Sequence, residues 1–264
     1  MGKYLQIKKM WDSFDIKTTE ELNKRLDNYR ILFAYNSGRI ENDEVTFHDT
    51  REIFENGKII NFTGSPGSIF ETQNQKTCYE YLLDKIIAKE SLSIKLIKEV
   101  HAILTAGTYD ERRFIVNEER PGEFKKHDYI VGKNEVGYPP QMVEEALKVL
   151  VEEMNGYEGE DILKAAAYFH LKFEYAHPFA DGNGRVGRTL MNYFLLTHNN
   201  PPIIIYEEDK DKYYKALDTY DNDEDIMPMY EFLEKQTVKT WEKTLEREYG
   251  KSEKKEKKFD DFSR

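Results

Sequence analysis

The chain has 264 residues, 39% hydrophobic and 34% charged, with a net charge of −11 and a single cysteine. That length supports a sizeable core, as one large domain or a domain with an appended part, and an acidic balance without a concentrated basic face excludes general nucleic-acid binding. Cys78 alone makes neither an internal disulfide nor a cysteine metal cluster, which fits a reducing cytoplasm, and no stretch is apolar for long enough to read as a signal peptide or a membrane span.

Thr18 followed by Glu21 is a capping-box signature, and Leu22, Leu26, Tyr29 and Phe33 recur on one helix face. The spacing predicts a helix running toward Ser37-Gly38-Arg39-Ile40-Glu41-Asn42, closed by Asn42 in the left-handed conformation. Ser37 and Glu41 share a face, and by residue type alone they read as the solvated end of that helix. Residues 43–68 are the least regular, with a helical piece over 49–54, a stop at Gly57 and a loop at Gly64-Ser65-Pro66-Gly67. Helical patterns resume over 70–89 and 94–106, where His101 sits among apolar residues as a packed histidine. Residues 120–140 hold three glycines and a β-branched run, which indicate a short hairpin. Amphipathic helices follow over 141–154 and 161–176, and the aromatic neighbours of His170 in the second make it a core histidine.

Polar chemistry is densest at His177-Pro178-Phe179-Ala180-Asp181-Gly182-Asn183-Gly184-Arg185-Val186-Gly187-Arg188, between two helical patterns. The glycines let the backbone turn with its N–H groups inward, at the start of a helix, where anions bind. Arg185 and Arg188 lie on one face of the first turn, and their planar forks suit phosphate. Near the positive end of a helix such a pair calls for a bound anion or an internal carboxylate. Asp181 is suited to a Mg²⁺ that bridges phosphate oxygens, His177 is a competent proton acceptor near neutral pH, and Phe179 is an apolar anchor.

This stretch resembles the Fic family signature HPFxDGNGRxxR, with every specified position filled. The resemblance implies a mainly α fold, a Fic-type helical bundle with a small β-hairpin flap over the active site. It also implies a protein adenylyltransferase that moves AMP from ATP to a Ser, Thr or Tyr hydroxyl of a target protein and releases pyrophosphate. Carried over by position, His177 deprotonates the hydroxyl, Asp181 holds Mg²⁺, and Gly182, Asn183 and Gly184 bind phosphate oxygens. Arg185 and Arg188 clamp the β- and γ-phosphates, with Gly187 in the same nucleotide-binding set. Gly182 separates the chain from the phosphorylating, Doc-like branch, where that position is commonly alanine.

The same resemblance makes 127–138 the flap whose edge pairs with an extended target segment, with Val131, Gly132, Lys133 and Asn134 near the nucleotide. Lys125 stands where an arginine is common. Ser37, Glu41 and Asn42 match the family's inhibitory pattern [S/T]xxxE[G/N], placed upstream as in the class with an N-terminal inhibitory helix. After a break at Asn199-Asn200-Pro201-Pro202, Tyr213 and Tyr214 stand where Fic proteins often place a pair beside adenine and ribose. The asparagine expected seven residues later is Asp221, with Asn222 adjacent. Pro228 opens a last helix, which Gly250 closes.

The expected organisation is an N-terminal helical region over 1–90 carrying the inhibitory motif, a catalytic domain with C-terminal helices over 91–250, and a charged, disordered tail over 251–264. Rival readings are removal of AMP by the same site with Glu41 positioning water, a non-catalytic nucleotide-binding module, and a metal-dependent hydrolase built on His170, His177 and Asp181. The expected partners are ATP and a protein target, with no nucleic acid or membrane, and homo-oligomerisation is left open.

Overall fold

A computed structural model describes residues 2–59, 63–129 and 137–262, from 251 on as backbone only. Among them are ten α-helices: α1 (Lys3–Asp12), α2 (Thr19–Glu41), α3 (Phe47–Asn56), α4 (Pro66–Ile87), α5 (Ile94–Leu104), α6 (Pro140–Asn155), α7 (Ile162–Ala176), α8 (Asn183–Thr197), α9 (Lys210–Asp223) and α10 (Met227–Phe262). The mainly α expectation therefore holds. No strand occurs among the described residues. The expected hairpin is not seen among them, because 120–129 and 137–139 form turns and short irregular pieces, and Val131, Gly132, Lys133 and Asn134 lie outside the described residues.

Local chemistry sets most helix ends. Thr18 accepts the Glu21 N–H at 3.2 Å and Glu21 accepts the Thr18 N–H at 3.2 Å, so the predicted capping box starts α2. Gly57, with φ 66°, ends α3 as read. α4 begins at Pro66 rather than near residue 70, since Ser65 and Ser68 cap one another and Pro66 fits the first helical turn. α10 continues through Gly250, where a stop was expected; one interior glycine costs about 1 kcal/mol, which good helix formers on both sides offset. Asn42 closes α2 with an extended backbone (φ −140°) rather than a left-handed one, its side chain accepting the Glu44 N–H at 2.9 Å and donating to Glu71 at 2.9 Å.

The core centres on α7 and α8, the most extensively packed pair. Phe169 and Phe173 of α7 and Val186, Leu190 and Met191 of α8 are fully buried, each worth about 1.5–3 kcal/mol for the larger side chains. α2 and α4 pack on one another and on α8, and α9 and α10 pack on α7. α1, which the sequence reading did not find, lies against α10 through Trp11 and Trp241, whose rings are 5.1 Å apart. Near the end of α2 Ser37 is buried instead of solvated, 2% exposed, and a Cβ on Gly38 would stand 3.2 Å from Val45, while Glu41 stays exposed. No described helix is long and apolar enough to cross a membrane.

Candidate active site

The turn from α7 to α8 is held from several sides. His177 caps α7 with φ 45° and ψ 61°, a left-handed conformation that costs a non-glycine residue on the order of 1–3 kcal/mol. Its N–H is shared by the carbonyls of Phe173 and Glu174, both at 3.2 Å. On one side Tyr138 N–H donates to Ala176 O at 3.1 Å; on the other Lys125 N–H donates to Pro178 O at 2.9 Å. Gly137, with φ 64°, lies so close that a Cβ would come 2.6 Å from His177 Cβ. The two ends of the span 125–138 are thus fastened on either side of His177.

Inside the loop, Asn183 accepts the Phe179 N–H at 2.9 Å and donates to Phe179 O at 2.8 Å. Its side chain closes the loop, which leaves only its backbone to meet a phosphate. Phe179 is fully buried and stacks on His101 at 3.7 Å. Nδ1 of His101 accepts the Gly122 N–H at 2.8 Å, so Nε2 carries the proton and donates to Asp181 O at 3.1 Å. Burial pushes His101 down to about 3, keeping it neutral. It is the packed histidine the sequence suggested, and also a brace joining the loop to Gly122, a role that only long-range contacts disclose.

A cavity of about 730 Å³ opens over this turn, lined by His177, Gly184, Arg188, Glu41, Glu174, Gly137, Tyr175, Tyr213 and Tyr214, and on its far wall by Leu217, Asp218, Asp221 and Asn222. His177 is half-buried, and its ring makes no hydrogen bond to another described residue. Burial first, then the charge of Lys125, push its pKa down to about 4, against Asp181 and Glu41. At neutral pH it is therefore an uncharged imidazole facing the cavity, able to accept a proton.

Both arginines have internal carboxylates, but different ones. Arg188, 1% exposed, donates from Nη2 to Glu41 at 2.8 Å and to Ser37 O at 3.0 Å, and from Nε to Ser37 Oγ at 3.0 Å. Ser37 thus touches the arginine itself. Arg185 instead donates to Glu71 on α4 at 3.2 Å, and Glu71 in turn accepts from Asn42. It does not line the cavity with Arg188. Residues 41 and 42 at the end of α2 therefore reach both arginines, one directly and one through Glu71. Gly184 makes this possible, since a Cβ there would stand 2.3 Å from the Glu41 carboxylate.

Other predicted residues sort by position. Gly182, with φ 78°, opens α8 and leaves room for Thr105, which a Cβ would approach to 2.7 Å. Gly187 faces α7, under Glu174 and Phe173, where a Cβ would clash at 2.3 and 3.1 Å, so its place is close helix packing. Asp181 is about one-third exposed at the mouth of the loop; Oδ1 accepts the Gly182 N–H at 2.8 Å and Oδ2 is 3.9 Å from Arg185. One carboxylate suits a Mg²⁺ that takes most of its ligands from phosphates and water. No described cluster of three His, Cys, Asp or Glu side chains could hold a metal by itself. The hydrolase reading fails on geometry, because His170 Nε2 is engaged with Tyr213 at 2.8 Å instead of converging with His177. Tyr213 is 1% exposed and Tyr214 41% exposed, and both line the cavity.

Residues 91–195 match the Fic/DOC family. The protein adenylyltransferase Fic of Drosophila persimilis is 31% identical over 216 residues, 78% of this chain and 39% of that protein. Protein adenylyltransferase fic-1 of Caenorhabditis elegans is 27% identical over 235 residues, 85% of this chain and 43% of that one. The chain thus spans about two-fifths of the length of these curated relatives. In fold it is similar to a Fic domain containing signaling protein from Bacteroides thetaiotaomicron, with a TM-score of 0.79 and 22% identity over 94% of this chain and 97% of that one.

Proposed function

We propose, from the match of residues 91–195 to the Fic/DOC family, that the protein transfers AMP from ATP to a hydroxyl side chain of a target protein, restrained by Glu41. The observation that carries this reading is the convergence on one cavity of a neutral His177, the N-terminus of α8 and the buried cation of Arg188. In the reaction the target hydroxyl oxygen bonds to the α-phosphorus, the bond to pyrophosphate breaks, and His177 takes the hydroxyl proton. The N–H groups at the start of α8 and Arg188 favour the phosphate charge. Mg²⁺, when bound with ATP at Asp181, neutralises phosphate charge. A target segment laid along the flap, 127–138, brings its hydroxyl to His177, since Lys125 just before that span and Tyr138 at its end are fastened beside the histidine.

The same geometry supports the proposed restraint. Glu41 occupies Arg188, which a γ-phosphate would otherwise engage, and its carboxylate overlies Gly184 at the start of α8. A terminal phosphate sharing this space with Glu41 is repelled or displaced, and transfer is sensitive to misplacement of about 1 Å. The test is labelled ATP, once at the α- and once at the γ-phosphate, given to the Glu41→Gly protein. Label retained on protein only from the α position is expected; retention only from the γ position would mean phosphorylation and overturn the reading.

A further inference from the structure

The chemistry above makes no use of Glu119, a carboxylate that is 1% exposed. Three groups from the chain just beyond it donate to its side chain: the Lys126 N–H to Oε1 at 3.0 Å and to Oε2 at 3.2 Å, His127 Nδ1 to Oε1 at 3.1 Å, and the Tyr129 hydroxyl to Oε1 at 3.0 Å. Asn117 donates in turn to the Tyr129 oxygen at 3.0 Å. A carboxylate only accepts, and once out of water it needs donors around it. Glu119 takes them all from the segment that opens the span 127–138.

The carboxylate is itself held from behind. The Glu119 N–H donates to Arg113 O at 2.9 Å, and Glu119 O accepts from Arg120 Nη1 at 2.8 Å. Glu118 just before it has φ 53°, a left-handed conformation that persists in a non-glycine residue only where its surroundings over-determine it, and Lys126 Nζ donates to Glu118 O at 2.7 Å. One residue before the gathered groups, the Lys125 N–H is bound to Pro178 O, next to His177. Residues 125–129 are therefore pinned twice, to the catalytic turn through Lys125 and to Glu119 through Lys126, His127 and Tyr129. One pin would let the segment pivot; two fix its direction.

We propose that Glu119 is a positioning residue for the protein substrate: it sets the direction in which the flap leaves the catalytic turn, and so the register in which an extended target segment presents its hydroxyl to His177. The inference rests on the reading of 127–138 as the target-docking flap. Glu119 does not line the cavity, so its effect falls on the acceptor and not on the nucleotide. Water as acceptor needs no flap: its oxygen bonds to the α-phosphorus, pyrophosphate leaves, His177 takes one proton, and AMP is released into solution.

The experiment gives α-labelled ATP to the purified Glu41→Gly protein and counts both AMP bound to protein and AMP released to water, with ATP binding followed by calorimetry. In that background Glu119→Ala is expected to lower protein-bound AMP about tenfold, the scale of one hydrogen bond to a charged group, and to leave released AMP and ATP affinity unchanged. Glu119→Gln keeps one acceptor oxygen and falls between the two. Tyr129→Phe removes one donor and keeps the carboxylate, so a loss of a few-fold in protein-bound AMP alone is expected; it decides the matter where Glu119→Ala does not fold. Equal loss of bound and released AMP means a carboxylate that only holds the fold, and overturns the proposal, as does an unchanged ratio of the two in the folded variants. A Glu41→Gly protein that binds ATP and puts no α-label on protein overturns the transfer reading beneath it, and is seen before any Glu119 variant is made.

Discussion

The α7–α8 turn and the end of α2 face the same cavity, yet they are held in different ways. The turn is fixed by backbone bonds to buried atoms: Phe179 by Asn183, His177 by two carbonyls of its own helix, and Pro178 by Lys125. The end of α2 meets the site mainly through side chains, and its key carboxylate, Glu41, is 36% exposed. A group in a strained conformation stays put only where its surroundings over-determine it, as they do at His177. A contact through one partly exposed carboxylate is removable. The difference teaches that this molecule holds its chemical groups rigidly, while the restraint proposed for Glu41 rests on a detachable contact.

The sharpest way to break that comparison is at the rigid end. His177→Ala is expected to lower α-labelled AMP incorporation by about 10² to 10⁴, while calorimetry finds ATP binding within a few-fold of the parent; normal incorporation would remove His177 from the role of base. Next in size is the proton affinity of the same ring. Burial lowers His177 from 6.5 to about 4, so the imidazole remains neutral as pH falls through 6 and charges only near 4. The sign is that of a depressed histidine: folding loses stability as pH drops below 6.5, because the unfolded chain binds that proton first. NMR titration of the nucleotide-free protein checks this, and a midpoint near 6.5 would mean a solvated, unorganised ring.

On the detachable side, Glu41→Gly is expected to raise incorporation roughly tenfold or more, as freeing a phosphate site by one charged hydrogen bond implies. Adding Arg188→Ala should abolish the gain, and an unchanged single variant would reduce Glu41 to a structural partner of Arg188. Asn183→Ala probes the turn again: it leaves a buried N–H and C=O of Phe179 unpaired, a loss of about 1–3 kcal/mol in denaturant unfolding. The smallest effect is expected for Ser37→Ala, an activation of a few-fold, since Arg188 keeps the Ser37 carbonyl and Glu41 when one hydroxyl acceptor is removed. If Ser37→Ala activated more than Glu41→Gly, the restraint would lie in the α2 backbone and not in its carboxylate.

Much of this was legible in the residues themselves. The helical periods from Leu22 to Phe33 and the capping box at Thr18 come from local chemistry, and so do the tight glycines and the Arg185–Arg188 pairing that called for anions. Twelve adjacent residues with defined chemistry can signal a site because their spacing fixes their neighbourhood. The sequence could not say which anion each arginine would take, since Glu41 and Glu71 lie more than a hundred residues away along the chain. Nor could it place Gly137 against His177, His101 under Phe179, or the His170–Glu174 face of α7 on the back of Gly187. Those juxtapositions depend on how α2, α4, α5 and α9 pack around the α7–α8 pair. Packing sums weak contacts over long sequence separations, which no local pattern encodes.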